Sequence, residues 1–164
     1  MNENLTHIKL AIYDKCSFTI SNYHEEAEGK EYEACQFDLD GKKIINRSAK
    51  ITPKKVGQFV TFWKRDINGI TTPFKENDSI DFFTVNVRKE DHFGQFVFPK
   101  SVLIQKGILS TKNKDGKRGF RVYPRWDVTL NQQAKKTQSW QLKYFYEINS
   151  STILEDVVRL FNEK

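Results

Sequence analysis

The chain has 164 residues, with 27 Lys or Arg against 21 Asp or Glu, a formal net charge of +6 and a pI near 9.2. A mean hydropathy of −0.65, with no apolar run of about 18 residues, excludes a membrane-spanning helix. The length suits a single domain over residues 1–164 whose core needs no disulfide or metal staple, and the modest positive balance favours anionic partners.

Leu5, Ile8 and Ile12 recur at helical spacing, which predicts a short amphipathic helix within residues 4–14. Residues 15–30 are polar and acidic and read as a loop. Residues 32–38 read as a strand, Asp40-Gly41 as a tight turn and residues 43–51 as the partner strand, ended by Thr52-Pro53. Residues 57–65 read as the next strand, and Asn68-Gly69 and Pro73 as a loop. Residues 80–88, rich in β-branched and aromatic side chains, form the clearest strand signal, and 92–98 pair back on it. Pro99 opens a helix that Gly107 stops. A lysine-rich loop at 111–117 leads to a strand over 119–123. Helices are expected over 130–148 and 152–162, the second beginning on the capping-box pattern Thr152-Ile-Leu-Glu155. This order predicts an α+β fold with a central mixed, mostly antiparallel sheet and flanking helices.

Strand alternation places several polar side chains on apolar faces: Arg47 with Ile45, Ala49 and Ile51, Gln58 and Lys64 with Val60 and Phe62, and Asp81 with Phe83, Val85 and Val87. In the helix after residue 130, Gln138 and Gln141 share a side with Ala134, Leu142, Phe145 and Ile148. Each such group needs a partner if buried. Two readings follow. Either they satisfy one another, as in an Arg47–Glu33 or Arg47–Asp81 pair, or they floor a cleft open to a ligand.

Basic residues are segregated along the chain. Lys117, Arg118, Arg121 and Arg125 are interleaved with Phe120, Tyr123 and Trp126, and a glutamine-rich helical stretch with Lys135, Lys136 and Trp140 follows. Basic residues at 50–65 and 100–106 would line the same groove, while acidic residues concentrate at 25–33. Cations beside aromatic planes are what a nucleic-acid surface needs. Phosphate contacts are assigned to Lys50, Lys54, Lys55, Lys64, Arg65, Lys117, Arg118, Arg121 and Arg125, with no sequence code implied. Trp126 or Trp140 would stack on an exposed base, Lys135, Lys136 and Gln138 would reach a groove or backbone, and Arg47 and Gln58 would lie on the floor. The partner is DNA or RNA, without choosing between them.

Catalytic signatures are sparse. His7, His24 and His92 are isolated, Cys16 and Cys35 lie far apart in sequence, and neither a metal-ligand spacing, a nucleophile elbow nor a phosphate-binding glycine loop occurs. No metal and no small-molecule cofactor is therefore expected. One enzymatic alternative is a magnesium-dependent nuclease using Asp81 and Lys100, with Glu33 as an added acid. That layout resembles the restriction-endonuclease-like superfamily, although Phe98 stands where its second carboxylate belongs. A third alternative is a non-catalytic protein-interaction partner. Two cysteines, read as reduced thiols, and an N-terminal stretch without an export pattern give a cytoplasmic expectation.

Four ordered stretches resemble the MepB family: residues 49–65, Phe93-Gly-Gln-Phe-Val-Phe-Pro-Lys100, Gly116-Lys-Arg-Gly-Phe-Arg-Val-Tyr-Pro-Arg-Trp126, and Lys135-Lys-Thr-Gln-Ser-Trp-Gln141. Arg125 stands where family members usually carry a second proline. The resemblance covers about residues 30–148. It implies a small cytoplasmic bacterial protein, with the namesake encoded beside a multidrug efflux pump and its repressor, and a nucleic-acid-binding role on a nuclease-like fold; the third alternative then becomes an interaction partner in an efflux or stress operon.

Overall fold

The computed structural model describes residues 1–163. In chain order the elements are α1 (Glu3–Ile8), continued by a π-helical turn (Lys9–Tyr13), then β1 (Ile20–Glu25), β2 (Cys35–Leu39), β3 (Lys42–Ser48), β4 (Lys50–Ile51), β5 (Gln58–Thr61), β6 (Trp63–Arg65) and β7 (Thr71–Pro73). They are followed by β8 (Phe82–Lys89), β9 (His92–Pro99), α2 (Lys100–Gln105), β10 (Gly119–Val122), α3 (Gln132–Gln141), β11 (Phe145–Glu147) and α4 (Leu154–Leu160). A six-stranded sheet runs β1-β2-β3-β8-β9-β11, a three-stranded sheet runs β10-β5-β4, and β6 pairs with β7. The pairing of β3 with β8 is parallel, and the other described ladders are antiparallel. The sheet is mixed and mostly antiparallel, as the sequence predicts.

Both faces of the large sheet are covered, which explains why β8 is buried without interruption from Phe82 to Val87. On one face α1, the π turn and α4 bring Leu5, Ile8, Ile12, Tyr13, Val157 and Phe161 against Phe37, Ile44, Phe82 and Val97. The opposite face sets Ile45, Phe83, Val85, Phe96 and Phe98 against Val60 and Val122 of the three-stranded sheet, Phe62 between β5 and β6, and Leu103 of α2. Phe62 stacks on Phe83 with centroids 4.0 Å apart. No helix among the described residues is long and apolar enough to cross a membrane.

A fully buried polar stripe crosses the large sheet. Asn46 Nδ2 donates to Thr84 Oγ1 at 2.7 Å, Asn86 Nδ2 donates to Asn46 Oδ1 at 3.1 Å, and Gln95 Nε2 donates to Asn86 Oδ1 at 2.9 Å. The Gln95 carbonyl oxygen accepts from the hydroxyls of Tyr13 at 3.0 Å and Tyr146 at 2.7 Å. The π turn places both Ile12 and Tyr13 in the interior, so the helix end contributes a hydroxyl to this stripe.

Several strands depart from expectation. β1 falls in the stretch read as a loop; it is a polar edge strand, bulged between Ser21 and His24, with Asn22 at φ 53°, so no clean alternation marks it. The run 57–65 divides at Phe62 between two sheets. The helix expected through 148 stops at Gln141, and Phe145–Glu147 joins β9 instead. Gly94 makes that pairing fit, because a Cβ there would lie 2.5 Å from the Phe145 ring. β7 occupies the predicted loop around Pro73.

Candidate functional site

The three-stranded sheet turns one face toward the large sheet and the other outward. Register places Arg121 opposite Phe59 and Phe59 opposite Lys50, so the outward face carries a row of cation, ring and cation. Tyr32 extends the row: its ring meets Phe59 edge-on at 6.5 Å, and the Lys50 ammonium sits 5.0 Å above it. Two glycines make room for rings. A Cβ at Gly57 would lie 2.7 Å from the Tyr123 ring, and one at Gly119 would lie 2.6 Å from the Phe59 ring.

Helix α3 is fastened beside β10 by glutamine amides. Gln141, fully buried, accepts from Tyr123 N at 2.8 Å and donates to Arg121 O at 2.9 Å. Gln138 donates to the carbonyls of Pro124 at 3.0 Å and Asp127 at 2.9 Å. Asn131 caps the helix through the Ala134 N–H at 2.8 Å. These bonds hold α3 at a fixed distance from the strand, and the space between them is a cleft of about 340 Å³. Phe120, Tyr123 and Trp140 supply rings to its lining, Lys106, Lys117 and Arg121 supply cations, and no carboxylate contributes. The Lys106 ammonium lies 5.1 Å over the Trp140 ring. Arg121 donates to Thr52 Oγ1 at 2.6 Å and Val56 O at 3.2 Å, which ties down the turn that carries exposed Lys54 and Lys55.

The acidic stretch at 26–31 neutralises part of the predicted basic surface. Glu26 pairs with Arg47, Glu28 with Arg65 and Glu31 with Lys50. Lys64 pairs with Asp78, and Arg125 with Glu147. Arg118 donates to Thr71 O. Among the described residues, Lys54, Lys55, Lys106, Lys117, Lys135 and Lys136 form no carboxylate pair. Lys135 and Lys136 are exposed on the outer side of α3.

Several expected site residues are structural. Arg47 is 1% exposed; it bonds Glu26 Oε2 at 3.0 Å, Thr61 Oγ1 at 3.1 Å and Trp63 O at 3.1 Å, so it meets neither solvent nor its expected partners Glu33 and Asp81. Gln58 is equally buried, and donates to Arg88 O. Gln138 spends its amide on backbone carbonyls. Trp126 is half-buried, stacked on His92 at 4.9 Å and set edge-on against Phe145. Asp81 precedes β8 and is exposed, with its carboxylate accepting from Lys43 N at 2.7 Å. Lys100 Nζ donates to Asp78 O at 2.7 Å. Asp81 and Lys100 are neighbours across the ladder, with Lys100 N donating to Asp81 O at 3.0 Å, but the carboxylate and the ammonium are each bonded to another group. No group of three or more His, Cys, Asp or Glu that would hold a metal occurs among the described residues.

Sequence reasoning missed Tyr32, Phe59 and Thr137 as parts of this surface and did not single out Lys106 within its basic segment. Phe59 was readable as the outward residue between Gln58 and Val60. Tyr32 and Lys106 reach the surface only through tertiary contacts.

These elements define an α+β protein with a basic, aromatic-lined cleft between a small antiparallel sheet and a helix. The sequence profile of the MepB-like family matches residues 26–147, and the chain belongs to that family. Among solved structures, a crystal structure of MepB is similar at a TM-score of 0.80 and 36% identity, over 92% of this chain and 100% of that one. A bacterial homing endonuclease aligns over 95% of this chain and 90% of its own at a TM-score of 0.45 and 16% identity, a likeness too slight to carry an argument. No curated protein matches the chain.

Proposed function

We propose that this protein binds nucleic acid, DNA or RNA, through the β10–α3 cleft and the outward face of the small sheet. One observation carries the reading: the cleft gathers three cations and three aromatic rings without a carboxylate. Lys106 and Lys117, without a carboxylate partner among the described residues, are free to replace the counterions condensed on a phosphate backbone, Arg121 adds its charge from the hydrogen bonds that hold it to Thr52 and Val56, and ring faces accept any base. Unpaired Lys54, Lys55, Lys135 and Lys136 flank the cleft and would extend the phosphate track. Free Cys16 and Cys35 fit a reducing compartment such as the cytoplasm. The magnesium-dependent nuclease reading has weaker support: Asp81 and Lys100 are neighbours, but their side chains bond Lys43 N and Asp78 O, and no group of three or more metal-ligating side chains occurs among the described residues.

A gel shift at two salt concentrations tests the proposal. Wild type is expected to bind with affinity that falls as salt rises, by roughly 0.7 to 0.9 in log–log slope per phosphate neutralised. The double variant Lys106→Glu/Lys117→Glu reverses two charges in the cleft and is expected to bind at least about tenfold more weakly. Absence of binding by the wild type, or affinity indifferent to both salt and the double variant, would remove the reading.

A further inference from the structure

We infer that the apex of the β6–β7 hairpin is a wedge: Ile67 inserts between two base pairs of duplex DNA and kinks it. The inference rests on the nucleic-acid reading above and adds a contact outside the β10–α3 cleft. Three features carry it. The first is exposure. Ile67 is 99% exposed and Ile70 61% exposed, so the tip presents two aliphatic side chains, and Ile67 buries nothing in the fold. The second is that the turn does not call for an aliphatic residue there. Asp66, Asn68 and Gly69, the last at φ 78°, are residue types that such a turn selects, whereas a polar side chain at 67 would serve the backbone as well. The third is rigidity. Asp66 O accepts from Gly69 N, and Ile70 O from Asp66 N, both at 2.9 Å. Asp66 Oδ1 accepts from Asn68 N at 2.9 Å and Ile70 N at 3.0 Å, and Arg65 donates to Gly69 O at 2.9 Å. A side chain carried on a turn so tied is preorganised for insertion.

The surroundings of the hairpin indicate its occupant. Arg118 donates to Thr71 O at 3.2 Å, and its carbonyl accepts from Phe62 N at 2.8 Å. The base of the hairpin is thereby fastened to the loop that brings Lys117 to the cleft. At the start of that loop, Ser110 N donates to Phe74 O at 2.8 Å. Between 110 and 118, Lys112, Lys114, Lys117 and Arg118 are exposed, and Asp115 is the lone carboxylate. Lys112, Lys114 and Lys117 form no carboxylate pair among the described residues. An apolar point beside unpaired cations matches a polyanion with an apolar interior, which is what a duplex offers: phosphates outside, stacked bases within. One aliphatic side chain suffices to open a base step from the minor groove. A lipid surface is matched less well, because its binding grows with the apolar area buried and this tip is small. The lysines would hold the backbone beside the opened step, and Ile70 would cover the adjoining sugar.

Energy transfer between dyes at the two ends of a duplex tests this with wild type, Ile67→Ser and Ile67→Leu. The duplex is about 30 base pairs long, with one central TA step of the easily kinked pyrimidine–purine type, and a second copy carries 2-aminopurine at that step. Wild type is expected to bend the duplex by at least about 20° and to raise the 2-aminopurine fluorescence, which reports unstacking. Ile67→Ser is expected to bind while leaving the duplex straight and the fluorescence unchanged. Ile67→Leu keeps an aliphatic point and should bend the duplex as wild type does. Because Ile67 is 99% exposed, all three proteins should share one melting temperature. A duplex that stays straight under bound wild type, or a bend that survives Ile67→Ser, overturns the inference and leaves the nucleic-acid reading standing. Binding of a single strand but not of the duplex does the same. Failure of both to bind removes both readings. Sedimentation of wild type with phosphatidylglycerol vesicles, lost in Ile67→Ser, overturns the wedge in favour of a lipid surface.

Discussion

Replacing Glu26 by Ala separates a charge that needs its partner from a residue that merely contacts one. The Arg47 side chain is 1% exposed, the Glu26 side chain 13% exposed, and they meet at 3.0 Å. Removing Glu26 leaves a guanidinium inside the protein with only Thr61 Oγ1 and the Trp63 carbonyl for company. Breaking one partner from a buried pair costs about 3–5 kcal/mol, and the residual exposure of Glu26 places this site near 3 kcal/mol. Arg47→Met behaves differently. Its apolar stem keeps the packing, Glu26 keeps its bond from Gln36 at 2.8 Å, and the loss is expected at about 1 kcal/mol or less. In urea unfolding followed by circular dichroism, with a slope of about 2 kcal/mol/M, Glu26→Ala should lower the midpoint by about 1.5 M, and Arg47→Met by about 0.5 M or less. The double variant should recover most of the Glu26→Ala loss. If Arg47→Met is as damaging as Glu26→Ala, or the double variant is worse than either, Arg47 contributes net attraction and the burial argument is wrong.

Gln95→Leu deprives the buried hydroxyls of Tyr13 and Tyr146 of their common acceptor. A loss of about 2–5 kcal/mol is expected, largely restored when both tyrosines are also changed to Phe, and restoration failing in the same urea assay would show that the stripe matters for more than pairing. Alkaline pH supplies a second check. Burial pushes the Cys35 thiol and the Tyr23 hydroxyl up to about 12, and raises Tyr13 and Tyr146 as well. The folded state therefore keeps protons that the unfolded chain releases from about pH 9 for cysteine and pH 10 for tyrosine. Stability is expected to be complete below pH 9 and to fall as pH rises from 9 to 12, and a melting temperature flat across that window would contradict it.

The parts of the fold readable from sequence were those whose burial repeats along the chain. The β8–β9 hairpin announces itself because every residue from Phe82 to Val87 is covered. β1 does not, since an edge strand with one half-covered face and a bulge has no period to show. Leu142, Phe145 and Ile148 recur every third residue, so β11 reads as helix, whereas the room that Gly94 leaves for the Phe145 ring lies on a neighbouring strand. The site divides in the same way. Interleaved cations and rings mark Lys117, Arg121 and Tyr123 locally. Arg47 was correctly placed on an apolar face, but alternation says nothing of what covers that face, and here it is a second sheet and an acidic segment. Asp81 shifts from interior to surface because the strand begins two residues later than expected, at Phe82. Lys106 converges on the cleft from α2, which no local pattern encodes.

On the proposed reading, residues 26–31 act as a short polyanion built into the chain. Glu26, Glu28 and Glu31 already occupy Arg47, Lys50 and Arg65. A phosphate backbone would have to outcompete this resident rival for Lys50 and Arg65, whose pairs are open to solvent, and has no access to Arg47. Rising salt weakens both competitors at once. The salt slope then reports mainly the lysines without internal partners, and it will undercount the basic residues visible in the sequence.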